Sequence, residues 1–399
     1  MDHEGNMGKV KTVVQKLKHF LIRVFGLFLK SCIVFESFPP FSDNTRAVYD
    51  EFVRRGLGRK YRLVWYLDDD TCANLNQEKA EYWDPKNHRT IRDKIRNISF
   101  YSKTKAIICC NRFLPSSGWM CPIDQNISKS FYLSHGTPLK RVDSYYHAPE
   151  GIDYALAPSK EIIPVMARAF HIEPSKFFVS GFPRNDYLIN KQFSFSDRIG
   201  QGFSKTIVWY PTFRQHQKPT VASAGGYAMP LIHEKAFAEQ LNETARKNKV
   251  LLLFKPHFVQ NRSYLHDLSY SNLWLIDDEF FSKYGITSYE LIAGSDALIT
   301  DYSSVYFDYT LCDKPIAVIW EDIKEYQENP GFVIDLDKYM IGAEKIYTID
   351  ELCGFIERVA VGIDVLQTER RKIRELCNDY LDNGSTKRAV DFIVEKARL

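Results

Sequence analysis

Ser130-Phe131-Tyr132-Leu133-Ser134-His135-Gly136-Thr137-Pro138-Leu139-Lys140 runs from a short apolar segment into a turn carrying a histidine, a glycine and a lysine. A brief apolar run bounded by turn formers reads as a buried strand, because a helix needs roughly ten residues or more to hold a buried face. The same form recurs in Lys205 to Tyr210, followed by Pro211-Thr212-Phe213-Arg214, and in Val250 to Phe254, followed by Lys255-Pro256-His257. Ala297 to Thr300, followed by Asp301-Tyr302-Ser303-Ser304, repeats it once more. Stretches with helical apolar spacing lie between these runs, and a strand–helix–strand rhythm of this kind predicts parallel, doubly wound sheets.

Working outward, Ser31 to Glu36, Tyr61 to Leu67, Lys105 to Cys110, Tyr154 to Pro158 and Phe177 to Ser180 read as further strands. Helices are expected from Asn44 or Thr45 to Leu57 and from Lys160 to Phe170, the first capped by Asn or Thr. From Asp186 to Lys205 the apolar periodicity lapses into a polar stretch with Gly200 and Gly202, which reads as a hinge. Beyond it the rhythm restarts, with strands at Leu273 to Ile276 and Pro315 to Trp320 and helices at Leu231 to Asn248, Ser288 to Gly294 and Val305 to Leu311. The 399 residues thus divide into a segment 1–30, a Rossmann-like domain 31–200, a second Rossmann-like domain 201–384 and a C-terminal helix 385–399. Two such halves facing one another enclose a cleft, and ligands of open α/β sheets sit beyond the carboxyl ends of the strands.

Charge is nearly balanced, 53 Lys and Arg against 50 Asp and Glu, which argues against a nucleic-acid binder, whose surface is usually strongly basic. The small excess is concentrated. Residues 1–34 hold Lys9, Lys11, Lys16, Lys18, Arg23 and Lys30 against Asp2 and Glu4, so the rest of the chain is slightly acidic. Within that segment Val10, Val13, Val14, Leu17, Leu21, Val24 and Phe28 recur at three- and four-residue spacing, an amphipathic helical stripe. Arg23 and Lys30 interrupt the apolar run, which excludes a signal-peptide core and disfavours a spanning helix. A basic amphipathic helix of residues 9–30 lying on an anionic membrane face is expected, as a peripheral attachment at the cytoplasmic surface; a core helix with a solvated basic side is the alternative. The eight cysteines show no C-x-x-C spacing and read as reduced core residues, not zinc ligands.

The candidate chemistry sits at the strand ends. Imidazole titrates near about 6.5 in water, so a histidine placed like His135 can take a proton from an attacking hydroxyl. Gly136 permits close backbone approach, Pro138 suits the first turn of a following helix, and Lys140 adds positive charge. Lys255 and His257 share a face if the extended run continues, a pair suited to a phosphate. Ser303 and Ser304 fall at a helix start, where free N–H groups favour an anion, while Asp301 and Asp308 are better placed to orient neighbours. Arg184 and Arg214 each follow a strand on the same side. Asp68-Asp69-Asp70 contains a D-x-D spacing able to hold a divalent ion, although a run of carboxylates is also what a solvated turn looks like.

Phe35-Glu36-Ser37-Phe38 with Ser42-Asp43-Asn44, the His135 to Lys140 segment, Gly181 to Asp186, Tyr210 to Arg214, Lys255-Pro256-His257 and Ser295 to Asp308 occur in an order that resembles the CDP-glycerol glycerophosphotransferase family of teichoic acid synthesis. The resemblance spans about residues 32–330. It implies a GT-B-like fold of two facing Rossmann-like domains, peripheral membrane attachment, and transfer of glycerol phosphate or a related alditol phosphate from a CDP-alditol to a lipid-linked glycan or polyol-phosphate acceptor. It further implies His135 as general base, His257 with Lys255 as a phosphate-binding pair, and Arg214, Ser303 and Ser304 as donor-phosphate contacts, with Lys140, Arg184 and Asp301 as further substrate contacts. No metal and no cofactor beyond the donor substrate are implied. Two departures stand out: Pro39-Pro40 replaces the family's usual Gly-Lys, and Pro330-Gly331-Phe332 replaces its Arg-Gly-Phe. A GT-B glycosyltransferase using a nucleotide sugar and a non-catalytic CDP-binding membrane scaffold are the competing readings.

Overall fold

The computed structural model describes residues 30–67, 80–83, 90, 103–110, 128–141, 151–190, 202–212, 229–256 and 270–399. The basic segment 9–30 apart from Lys30, the Asp68–Asp70 run, Arg214 and His257 lie outside the described residues.

Apolar runs become strands buried on both faces, as all-parallel sheets require. Seven strands form the first sheet: β1 (Cys32–Glu36), β2 (Arg62–Tyr66), β3 (Glu81–Trp83), β4 (Thr104–Cys109), β5 (Lys129–Tyr132), β6 (Tyr154–Ala157) and β7 (Phe177–Val179), in the order 3-2-1-4-5-6-7. Six form the second: β8 (Lys205–Trp209), β9 (Val250–Phe254), β10 (Leu273–Leu275), β11 (Ala297–Thr300), β12 (Ile316–Ile319) and β13 (Glu344–Ile346), in the order 10-9-8-11-12-13. Every pairing between these strands is parallel. In each sheet the order of strand addition reverses beside the first strand, between β1 and β4 and between β8 and β11, so each has a switch point where strand-end loops diverge and leave room for a ligand.

Helices cover the sheets with one apolar face. In α1 (Asp43–Arg54) Ala47, Val48 and Phe52 are buried at helical spacing, and Phe52 meets Phe35 of β1 edge-on, with ring centroids 5.6 Å apart. Further helices are α2 (Ile163–Phe170), α3 (Lys235–Lys247), α4 (Ser288–Gly294), α5 (Val305–Tyr309), α6 (Ile349–Ala360), α7 (Gln367–Cys377) and α8 (Ser385–Ala397). α4 and α6 each open on a capping box, Thr287 with Glu290 and Thr348 with Glu351. After α6 the chain returns to the first sheet. Asp186 accepts hydrogen bonds from the backbone N–H groups of Ser385 and Thr386 at 2.9 and 2.8 Å, and Phe392 of α8 stacks on Phe178 of β7 at 3.9 Å.

Some expectations need correction. Pro138 does not begin a helix: Lys140 pairs with Phe332 in an isolated antiparallel bridge, with Arg141 N–H donating to Gly331 and Val333 N–H donating to Leu139. This stretch is captured by a backbone partner on the other sheet's side, which outweighs the local helix signal. The polar hinge does not begin at Asp186, since Asp186–Asn190 is a short helix with a buried carboxylate tied to α8. Leu231 and Ile232 precede α3 in a turn instead of belonging to it. Strands β3 and β13, three residues each and opening on a glutamate, are too short for the apolar-run criterion. Cys32, Cys109, Cys110, Cys312, Cys353 and Cys377 are buried, free thiols. Among the described residues no helix is long and apolar enough to cross a membrane.

Candidate active site

Between the carboxyl ends of the two sheets lies a cleft of about 580 Å³. The first sheet contributes the loops after β1 and β5, with Phe38, Phe41, Asp43 and His135 to Lys140; the second contributes Pro211 and Thr212 after β8, Thr287 to Tyr289 at the start of α4, and Tyr302 to Ser304 after β11. The loop after β1 is stitched by its own serines: Ser37 and Ser42 hydroxyls both donate to the Pro39 carbonyl, and Ser42 N–H donates back to Ser37 Oγ at 3.1 Å. This places Phe38, Pro39 and Phe41 along the wall where the Pro39-Pro40 departure falls.

His135 projects from the turn after β5, and its Nδ1 is hydrogen-bonded to Asp43 Oδ2. An ionised carboxylate at that nitrogen selects the tautomer with the proton on Nδ1, which leaves Nε2 as the nitrogen able to accept one. Two residues around the pair, Asp43 and Ser134, adopt positive φ of 63° and 52°. Left-handed conformations at non-glycine residues are uncommon and cluster at functional sites. Asn44 fixes the geometry from below: its amide donates to the carbonyls of Leu133 and Ser134, and its Oδ1 accepts from Arg184 N–H.

Asp43 also accepts from Arg184 Nη1 at 2.7 Å. Burial pushes the Asp43 carboxyl up, but the charge of Arg184 and the bond to His135 outweigh it and hold the group below the ordinary carboxylate range. Arg184 is itself buried; its Nη2 reaches Asp308 Oδ2 at 2.6 Å, and the Tyr289 hydroxyl donates to the same oxygen at 2.6 Å. Burial alone would favour a neutral guanidine, yet Asp308 and Asp43 drive Arg184 well above its usual value. Gly136, at φ 116°, packs against this guanidinium: a Cβ there would fall 2.5 Å from Arg184 Nη2 and 3.2 Å from Ser304 Cβ. Only glycine lets the histidine-bearing turn approach so closely.

The second sheet supplies the facing wall. Ser303 and Ser304 precede the five-residue helix α5, and Ser304 Oγ lies 3.4 Å from the His135 carbonyl. Asp301 is buried and its carboxylate accepts from Thr212 N–H at 2.9 Å and Tyr302 N–H at 2.6 Å, so it fixes the loop after β8 and does not face the cleft. Lys255 lies farther along the sheet, its ammonium 5.6 Å from the ring of Tyr210, whose hydroxyl is bonded to Ser288 at 3.0 Å on the cleft wall. The structure therefore brings His135, Lys140, Arg184, Ser303 and Ser304 to one cleft and sets Asp301 and Lys255 behind it. Thr137 Oγ1 and Arg184 Nε, both buried behind the cleft surface, have no hydrogen-bond partner among the described residues. Sequence reasoning missed the roles of Asp43 and Tyr289. A histidine and an aspartate 92 positions apart have no local signature, and Tyr289 resembled any aromatic of a helix start.

The chain resembles known proteins over most of its length. The chain is 25% identical over 366 residues to a teichoic acid poly(glycerol phosphate) polymerase of Bacillus spizizenii, covering 83% of this chain and 84% of that one. It is 24% identical over 408 residues to a teichoic acid glycerol-phosphate transferase of Staphylococcus aureus, covering 94% and 93%. Its fold matches the solved structure of the wall teichoic acid polymerase TagF with a TM-score of 0.66 at 20% identity, covering 98% of this chain and 97% of that one. A profile of the CDP-glycerol:poly(glycerophosphate) glycerophosphotransferases matches residues 18–395, nearly the whole chain, and the chain belongs to that family.

Proposed function

We propose that this transferase moves glycerol phosphate from CDP-glycerol to a hydroxyl of a membrane-linked polyol-phosphate or glycan acceptor, releasing CMP, in the synthesis of a teichoic-acid-like polymer. The observation that carries the reading is the His135–Asp43 pair in a cleft walled on its other side by Ser303 and Ser304. In the reaction the acceptor oxygen attacks the β-phosphorus in line. The bond from that phosphorus to the oxygen bridging the two phosphates breaks, CMP leaves with the electron pair, and the hydroxyl proton passes to His135 Nε2. Asp43 stabilises the imidazolium that forms. In this scheme the Ser303 and Ser304 hydroxyls contact the transferring phosphate, with His257 and Arg214 as further cationic contacts.

In this reading residues 31–200 carry the acceptor and the base, residues 201–384 carry the donor, and the helix of residues 385–399 clasps the first lobe. The basic, apolar-striped segment 9–30 rests on an anionic membrane surface at the cytoplasmic face, where the acceptor is anchored; each Lys or Arg there adds about 1 kcal/mol of attraction. The scheme takes no resident metal. Incubation of the purified protein with an acceptor and CDP-glycerol, CDP-ribitol or a panel of UDP-sugars tests it through the nucleotide released. CMP from a CDP-alditol is expected, and UDP from a sugar donor with no CMP formed would replace this reading with a glycosyltransferase.

A further inference from the structure

Arg184 occupies the seam between the two sheets. Its Nη1 donates to Asp43, which opens α1 beside β1, and its Nη2 donates to Asp308, which lies in α5 after β11. Asp308 is held from its own side by the Tyr289 hydroxyl at 2.6 Å and from across the seam also by Asn185 Nδ2, the residue after Arg184, at 3.0 Å, and the guanidinium carbon stands 5.0 Å from the Tyr289 ring centroid. One buried cation thus joins a carboxylate that holds the base to a carboxylate that belongs to the opposite lobe.

We infer that Arg184 is a positioning residue that makes the orientation of His135 depend on the seating of the second lobe. Resting on the transfer reading of the cleft, the inference assigns Arg184 a task other than phosphate binding. When the lobes are in register, Asp308 fixes the guanidinium, the guanidinium fixes Asp43, and Asp43 presents His135 with Nε2 ready to accept a proton. When the second lobe shifts, the guanidinium loses one of its two carboxylates, and the turn carrying His135 loses the surface on which Gly136 is packed. Donor binding and base readiness are then coupled through a contiguous, buried set of contacts.

The experiment uses the full chain and compares wild type with R184Q, R184K, D308N, D43N and the D43N/R184Q double variant. CMP release is measured against CDP-glycerol concentration, with hydrogen exchange of residues 134–140 and melting temperature in parallel. R184Q and D308N should lower kcat by about 10- to 100-fold, the scale of a misplaced catalytic group, with KM for CDP-glycerol held within about threefold. R184K should recover part of the loss. The double variant should lose little beyond D43N alone, because both changes break one chain of contacts. D308N should speed exchange in residues 134–136 although it lies on the other lobe, while β4 and β11 stay protected. A tenfold rise in KM with kcat unchanged, on the order of a lost ligand contact, would reassign Arg184 to phosphate binding and overturn the inference. So would multiplicative losses in the double variant, an unchanged 134–136 turn in D308N, or a uniform gain of exchange across both sheets. If wild type releases no CMP, the transfer reading fails, and the exchange measurements alone still decide whether the lobes are coupled.

Discussion

Replacing Asp43 by Asn tests the base assignment most directly, because the change removes a charge and almost no volume. In the native protein the carboxylate is buried and accepts from His135 Nδ1 and Arg184 Nη1. Asparagine can still accept one of these bonds, but its amide can also donate to His135 Nδ1, which would put the imidazole proton on the wrong nitrogen. General-base help is typically worth about 10²–10⁴-fold, and the nitrogen that must accept the proton would then be blocked for much of the population. A fall in kcat of about 10²–10³-fold is expected, equivalent to about 3–4 kcal/mol of barrier. Stability should fall less than for a typical broken buried pair, about 2–3 kcal/mol instead of the usual 3–5, because Asp308 still compensates Arg184. The pH dependence follows from the sign of the shift. Asp43 is held below its unfolded value, so its stabilising contribution is complete above about 4 and is lost as pH falls through the folded value. Acid unfolding of D43N should therefore lack part of the wild-type loss of stability below that point. The assays are CMP release at saturating CDP-glycerol and urea unfolding between neutral pH and acid. A D43N protein within about threefold of wild-type kcat would refute the claim that Asp43 orients the base.

His135→Ala should lose about 10²–10⁴-fold in CMP release while binding CDP-glycerol with nearly native affinity by calorimetry, because the imidazole acts on the acceptor. Gly136→Ala should depress both melting temperature and turnover, since the added methyl would fall 2.5 Å from Arg184 Nη2 at a positive φ. Phe392→Ala, which deletes the ring stacked on Phe178, should cost about 3 kcal/mol in urea unfolding and leave KM for CDP-glycerol unchanged. The thiols of Cys109 and Cys110 are pushed well up by burial, so in the folded protein both should resist alkylation at pH 8 and react only on unfolding.

What was legible in the chain follows from how locally each feature is encoded. Runs such as Val250–Phe254 and Ala297–Thr300 announce buried parallel strands because both faces must be apolar, and the residues that follow them announce a cleft because strand ends converge there. The edge strands Glu81–Trp83 and Glu344–Ile346 do not, since three residues are too few to show a pattern and take their strand geometry from a neighbour's backbone. Pro138 misled for the same reason: its local preference is real, yet Arg141 and Leu139 find backbone partners in Gly331 and Val333, nearly two hundred residues away. At the site, His135, Ser303 and Ser304 could be read from their turns. Asp43, Arg184, Asp308 and Tyr289 could not be read as a unit, because their meaning lies in four elements brought together by folding.

That distribution bears on how the cleft can work. A base whose orientation depended only on its own turn would be ready whether or not a donor was bound, and an activated acceptor hydroxyl would face open solvent. Here the group that orients the base is shared: Asp43 belongs to the helix after β1, and the cation beside it is anchored on Asp308 after β11. Because Gly136 and Ser304 touch at the same seam, the turn that carries His135 and the segment that leads into α5 are packed as neighbours. Under the proposed scheme this arrangement puts the acceptor's proton sink and the donor's phosphate contacts under one mechanical constraint, so a substitution on either lobe should be felt in kcat before it is felt in the affinity for CDP-glycerol.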